Sequence, residues 1–172
     1  IQGADVCGTI AAVGDGVDPN RIGERVILDG WLRDPDDPTN YDKVKYYGSE
    51  CDGGFAEYTK IPAGCAQAIL SALSDVEPAS FPCANAPSET LVARPRVSAG
   101  DRVLITGASG GVGAAAIQLC KRRGATVFAM ASESKHAEIE HLGADILLPR
   151  SSEDLPGLLK SRTGTDRVDV VL

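Results

Sequence analysis

An α/β fold in two parts, a glycine-rich β portion followed by a doubly wound parallel-sheet portion, is predicted by three observations. Residues 1–62 carry short β-branched runs broken by glycine at close intervals: "CGTIAAVGDGV", "GERVILDG" and "GGFAEYTKIP". From residue 102 onward, strand-type apolar runs alternate with helix-type segments, the pattern of right-handed βαβ units. Between the first strand and first helix of that alternation stands "TGASGGVG", a glycine turn in the one context that makes such a pattern informative.

The elements follow in order. The three glycine-punctuated runs read as strands of a compact β domain of barrel type. Between the second and third lies "WLRDPDDPTNYDKVKYYGSE", whose prolines and polar residues predict a long loop. The texture changes near residue 74, so the division is placed as residues 1–73 and residues 74–172. "SDVEPASFP" and "SETLVA" offer serine helix starts with acids in the first turn, interrupted by Pro82 and Pro87. Then come strand 102–107, helix 111–123, strand 126–131, helix 134–142, strand 145–148, helix 152–162 and strand 167–172. The cations Lys121, Arg122 and Arg123 precede Gly124 at an expected helix end, where they complement the helix dipole.

In the glycine stretch, "RVLIT" is a buried strand and "AAAIQLCKRR" a helix, with Gly107, Gly110, Gly111 and Gly113 forming the turn. Glycines there permit a tight turn and bring backbone N–H groups against a pyrophosphate, whose charge sits at the helix N-terminus. The spacing is GxxGxxG. Ser109, Gly110, Gly111 and Val112 are the expected cofactor contacts, with the Ser109 hydroxyl available to a phosphate. Valine at Gly110 or Gly113 is expected to collide with the cofactor or the strand, and to meet a left-handed backbone.

Dinucleotide choice falls at the tip of the second strand, "TVFAMASESK". NAD sites usually place a carboxylate there for the ribose hydroxyls, and this chain has Ala131. Ser132 and Lys135 follow, a hydroxyl and a cation suited to a 2′-phosphate. That favours NADPH over NADH. The plainer roles of the pair are a helix cap and a solvated lysine. Glu133, 20 residues past Gly113, is the competing candidate for the ribose acid, but it is expected to point away, in the first turn of the next helix, where an acid is favourable.

A net charge of −7 and a pI near 4.8 oppose non-specific attraction to nucleic acid or anionic membrane. No run reaches the roughly 20 apolar residues of a membrane span. Five cysteines without a CxxC pair favour reduced thiols and a cytoplasmic protein. The chain starts at Ile1 and closes on the strand-type "RVDVVL", so an internal segment of a longer protein, incomplete at both ends, is expected.

With the β portion ahead of the dinucleotide fold, the chain resembles the medium-chain dehydrogenase/reductase superfamily. That group holds the zinc alcohol dehydrogenases and the zinc-free quinone and enone reductases. "GTIAAVGDGVD", "GERVI", "GGFAEYTKIP", "SAGDRVLITGASGGVGAAAIQLCKRRGATVFA" and "LGAD" stand in the family's order along nearly the whole chain. The resemblance implies a partial GroES-like catalytic domain followed by a partial Rossmann domain, hydride transfer between them, and a homodimer of the full-length protein.

The zinc enzymes carry a GHE motif where this chain reads Gly3, Ala4, Asp5, and Ala4 has no lone pair to offer. Cys83 matches a third family ligand. One soft ligand without an imidazole partner does not build a three-ligand zinc site, and residues 31–50 lack the cysteines of the family's structural zinc lobe. His136 and His141 are five apart, not the i, i+4 of a metal pair. No zinc is therefore expected.

Asp5 and Cys83 are candidates for lining the nicotinamide and substrate side. Asp5 is as readily a structural carboxylate, and Cys83 a small buried hydrophobe. Trp31 and Tyr41 line a cleft or anchor their loop. Pro87 falls where the family often has a threonine beside the nicotinamide. No residue is assigned as catalytic.

The function these readings imply is a zinc-independent oxidoreductase passing hydride from NADPH to a small electrophilic acceptor, a quinone or an activated C=C or C=O. Two alternatives stay open: an alcohol or aldehyde dehydrogenase of the same superfamily, and a non-catalytic nucleotide-binding sensor.

Overall fold

The computed structural model describes residues 1–151 and 153–172. The chain divides into two compact units, Ile1–Cys83 and Ala84–Leu172. The boundary falls ten residues beyond the 73/74 division read from the sequence. Arg25 accounts for the first part of the shift. Its guanidinium donates to the Ser71 and Leu73 carbonyls and to the Asp75 carboxylate, tying residues 71–75 to the first unit.

In the first unit β1 (Cys7–Thr9), β2 (Arg25–Leu28), β3 (Trp31–Leu32), β4 (Lys45–Tyr46) and β5 (Ala66–Ala68) form an antiparallel three-stranded sheet, β1-β2-β5, and a separate β3-β4 pair. Val26, Leu28, Tyr47 and Ala66 are its buried hydrophobic cluster. Residues 53–62, expected as a strand, form none: 54–58 are bends and the remainder is irregular. The reason is steric: Gly53 and Gly54 cross the N-terminal segment so closely that a Cβ on Gly53 would sit 2.4 Å from the Gly3 carbonyl oxygen. The Gly53, Gly54 and Phe55 N–H groups donate to the Ile1, Gly3 and Gln2 carbonyls at this crossing. Helix α1 (Val76–Ala79) follows.

Helix α2 (Phe81–Ala93) is continuous through Pro82 and Pro87, so the expected interruption does not occur. Pro82 stands in the first turn, where no N–H is needed. Pro87 forfeits one helical bond, and the helix carries on past it.

The second unit is a four-stranded parallel sheet. Its strands are β6 (Arg102–Ile105), β7 (Thr126–Ala131), β8 (Ile146–Pro149) and β9 (Val170–Val171), in the spatial order β8-β7-β6-β9. Three helices connect them: α3 (Gly111–Arg122), α4 (His136–His141) and α5 (Leu155–Thr163). Residue 152, the start of the expected 152–162 helix, lies outside the described residues. Val103, Leu104, Ile105, Val127, Phe128 and Ala129 are all buried, as the strands of a sheet covered on both faces must be. Helix α3 lays Gly113, Ala116, Ile117 and Cys120 onto the sheet, mostly small residues that let helix and strand approach closely.

The cations at the end of α3 do more than complement its dipole. Lys121 Nζ lies 2.7 Å from Asp145 Oδ1, and Asp145 Oδ2 accepts from the Val127 N–H at 2.7 Å, so this pair joins the helix end to β7 and the start of β8. Arg123 pairs with Glu89. At the opposite end of the sheet from the glycine turn, Arg102 and Asp169 form a two-pronged ion pair that holds β9 against β6, and it draws the Asp169 carboxyl down to about 2.

Candidate functional site

In the order β8-β7-β6-β9 the direction of strand progression reverses between β6 and β9. A crevice opens at such a switch point, outside the carboxyl ends of the strands. The glycine turn occupies that place. It is anchored to both neighbours of β6: the Ala108 N–H donates to Met130 O at 3.0 Å, and the Thr106 N–H and hydroxyl donate to Leu172 O at 2.9 and 3.0 Å. A recess of about 250 Å³ is lined by Thr106, Gly107, Gly110, Gly111, Gly113 and Leu172, among others.

Each glycine has its own reason to be there. Gly107 takes φ +58°, the left-handed region that suits a residue without Cβ. Gly113 is buried, and a Cβ on it would lie 2.5 Å from Gly107 O and 2.7 Å from Ala108 Cα. Gly110 has ordinary extended dihedrals of φ −79° and ψ 163°, and a Cβ there would meet Gly107 O at 3.4 Å. The expected left-handed strain therefore belongs to Gly107, not to Gly110 or Gly113. The steric expectation for Gly113 rests on the turn itself.

The start of α3 is arranged for an anion. No side chain caps Gly110 and no acid stands in the first turn, so the N–H groups of Gly111, Val112 and Gly113 have no acceptor within the helix. Ser109, Gly110, Gly111 and Val112 are all exposed beside them. The helix dipole adds positive potential at the same point.

The tip of β7 differs from the sequence picture in detail. Ala131 is 3% exposed and its carbonyl accepts from the Arg150 N–H at 3.0 Å, so Ser132 is the first residue to emerge. Glu133 and Lys135 are exposed on the single 3₁₀ turn Glu133–Lys135. Lys135 Nζ lies 2.9 Å from Glu138 Oε1, a carboxylate that competes with any other anion for it. His136 Nε2 approaches Ala131 O at 3.3 Å and His141 closes α4.

In the first unit Asp5 and Cys83 do come together. The Asp5 carboxylate accepts from the Cys83 backbone N–H at 3.0 Å, which caps the first turn of α2 and gives Asp5 a structural role. Cys83 is exposed, not the buried hydrophobe that cysteine usually becomes. Trp31 stacks edge-on with Tyr41 and Tyr46 at 6.3 and 5.4 Å, so the aromatics of this loop pack on one another. Burial raises the Cys7, Cys65 and Cys120 thiols, the last to about 11, which makes Cys120 an inert core residue. Among the described residues no three His, Cys, Asp or Glu side chains converge as a metal set.

Comparison with known proteins matches both parts of the chain. Residues 1–70 fit the alcohol dehydrogenase GroES-like domain, and residues 111–172 fit the zinc-binding dehydrogenase family. An acryloyl-coenzyme A reductase of Metallosphaera sedula is 32% identical over 84% of this chain and 46% of its own length. An NAD-dependent alcohol dehydrogenase of Saccharolobus solfataricus is 26% identical over 99% of this chain and 52% of its own. A crystal structure from Sinorhizobium meliloti 1021, assigned as an alcohol dehydrogenase, superposes with a TM-score of 0.85 at 43% identity, covering 99% of this chain and 47% of that one. The chain thus spans about half the length of these relatives.

Proposed function

The chain belongs to the medium-chain dehydrogenase/reductase superfamily of oxidoreductases, and on that premise we propose that it serves an enzyme reducing an activated C=C bond or a quinone with NADPH. The observation that carries the dinucleotide part is the uncapped start of α3 at the switch point, with Gly113 pressed against Gly107. Gly111, Val112 and Gly113 would hold the pyrophosphate by backbone N–H groups, with the Ser109 hydroxyl beside them. Ser132 and Lys135 would take the 2′-phosphate, once Lys135 leaves Glu138.

A bound nicotinamide supplies the hydride. What the chain contributes is position: a turn fastened to both flanking strands does not have to reorganise when the cofactor arrives. Acceptors of this class have an electron-poor carbon, and the enolate or hydroquinone anion that develops is protonated by water or a modest acid. Metal polarisation is not required.

The residues at the family's zinc positions do not fit a catalytic zinc. Ala4 has no donor atom, and the Asp5 carboxylate is engaged by the Cys83 N–H. The acryloyl-coenzyme A reductase relative supports reduction of a C=C bond conjugated to a carbonyl. A second reading, alcohol dehydrogenase, is favoured by the 43% identity to the Sinorhizobium meliloti protein. Oxidation of an unactivated alcohol, however, needs a group that stabilises an alkoxide, and the described residues offer none at these positions.

The test is an initial-rate assay of the full-length protein with EDTA present. NADPH oxidation by acryloyl-coenzyme A, enones or quinones is expected. Turnover confined to alcohols with NAD⁺, and abolished by EDTA, contradicts the proposal.

A further inference from the structure

Ser88 is fully buried and lies at the contact of α2 with the first turn of α3. Its Oγ is 2.7 Å from Ala84 O and 2.7 Å from Val112 O. A hydroxyl has one proton, so these two carbonyls share it. The bond to Ala84 O is the ordinary back-bond of a helical serine, which by itself contributes little to a helix. The bond to Val112 O is different in kind, because Val112 O and the Gly113 N–H belong to the same peptide unit.

We propose that Ser88 positions and polarises the anion-binding end of α3, a role that rests on the dinucleotide reading of the glycine turn. A hydrogen bond accepted by a peptide oxygen makes the N–H of that peptide a stronger donor. The Gly113 N–H is one of the first-turn donors without an acceptor inside the helix. Ser88 therefore acts on it through the Val112–Gly113 peptide without touching the ligand. The effect is reciprocal: an anion on the Gly113 N–H makes Val112 O a better acceptor and draws the Ser88 proton from Ala84 O towards it. The same contact sets the distance between the helices, since a Cβ on Gly111 would lie 3.4 Å from Ala84 Cβ.

The test compares dissociation constants of NADPH, NADH and ADP-ribose for the full chain as wild type, Ser88→Ala, Ser88→Cys and Ser88→Thr, with thermal unfolding followed in parallel to identify folded variants. All three ligands carry the diphosphate. Ser88→Ala removes the donor; Ser88→Cys keeps the side-chain shape with a larger, weakly donating sulfur; Ser88→Thr keeps the hydroxyl and adds a methyl. The loss expected for Ala and Cys is about fivefold, equal for the three ligands, with Thr close to wild type. Two results would overturn the proposal: Ala binding all three ligands like wild type, or Cys and Thr behaving alike, which leaves only a packing role. A wild type that binds none of the three removes the dinucleotide reading itself. Wild-type binding with an unaffected Ser88→Ala removes only the role of Ser88.

Discussion

The units Ile1–Cys83 and Ala84–Leu172 are held together by different means. The second buries a continuous apolar cluster, from Val92 and Val97 through Val103, Ile105, Ile117 and Val127 to Ile139, with a further cluster around Leu104, Phe128 and Leu148 on the other face of the sheet. The first buries only Val26, Leu28, Tyr47 and Ala66 as its apolar cluster among the described residues. It relies instead on close backbone crossings at Gly3, Gly48 and Gly53, and on arginine forks: Arg21 donates to the Ala63 and Ala66 carbonyls, Arg25 to those of Ser71 and Leu73. One unit is stabilised by area removed from water, the other by exact fit of polar backbone.

Opposite kinds of substitution should therefore hurt the two units. The largest stability effect is expected for Ile117→Ala, which opens a cavity in the second unit and costs about 2–5 kcal/mol. In the first unit the damaging change is an addition. Gly53→Ala places a methyl 2.4 Å from Gly3 O and 2.6 Å from Gly48 Cα, and the backbone displacement costs about 1–3 kcal/mol. Denaturant unfolding with a probe in each unit, Trp31 in the first, reads both. Equal sensitivity of the two units to each substitution would erase the contrast.

A third prediction separates the phosphate contact from the fold. Lys135→Ala should weaken NADPH about tenfold and leave NADH unchanged, because only NADPH carries a 2′-phosphate for the cation. Glu138→Gln should act in the opposite sense by freeing Lys135, with a smaller gain. Raised ionic strength should shrink both effects. Equal small changes for both cofactors would return Lys135 to the status of a solvated side chain.

The smallest effect concerns pH. Asp169 has its carboxyl lowered from 3.8 to about 2 by Arg102. A lowered pKa gives stability that is complete above the unfolded-state value and is lost as pH falls through the folded one. The β9 edge should loosen between about pH 4 and pH 2. Asp169→Asn should remove that part of the acid response and lower stability at neutral pH, as seen in thermal unfolding across a pH series.

The same contrast explains what was legible in the sequence. Every strand and helix expected from residue 102 onward is present, with ends moved by a few residues, because each βαβ unit is specified by local hydrophobic period and a glycine stop. The first unit was legible only as glycine-broken β structure. Residues 53–55 bond to the backbone of residues 1–3, some fifty residues away, and no local period records that. Pro87 misled for the opposite reason: local propensity predicts a break, and the packed α2 carries it. At the site, the turn and its residues were readable, but three features arise only from tertiary packing. The left-handed backbone falls on Gly107, Ala131 is buried, and Lys135 already has Glu138 as a partner. Ser88 left no signal at all, since a serine facing a distant carbonyl looks like any other serine in a helix.

The turn from Gly107 to Gly113 is proposed to hold a dinucleotide. The most direct measurement is titration of NADPH into the full chain as wild type, Gly110→Ala and Gly113→Val, each checked for folding by thermal unfolding. Wild type should bind saturably, Gly110→Ala, whose Cβ has 3.4 Å of clearance, should change affinity by less than about tenfold, and Gly113→Val, which must displace Gly107 O, should lose binding. Undiminished NADPH affinity in a folded Gly113→Val variant, or no binding by wild type, would contradict it.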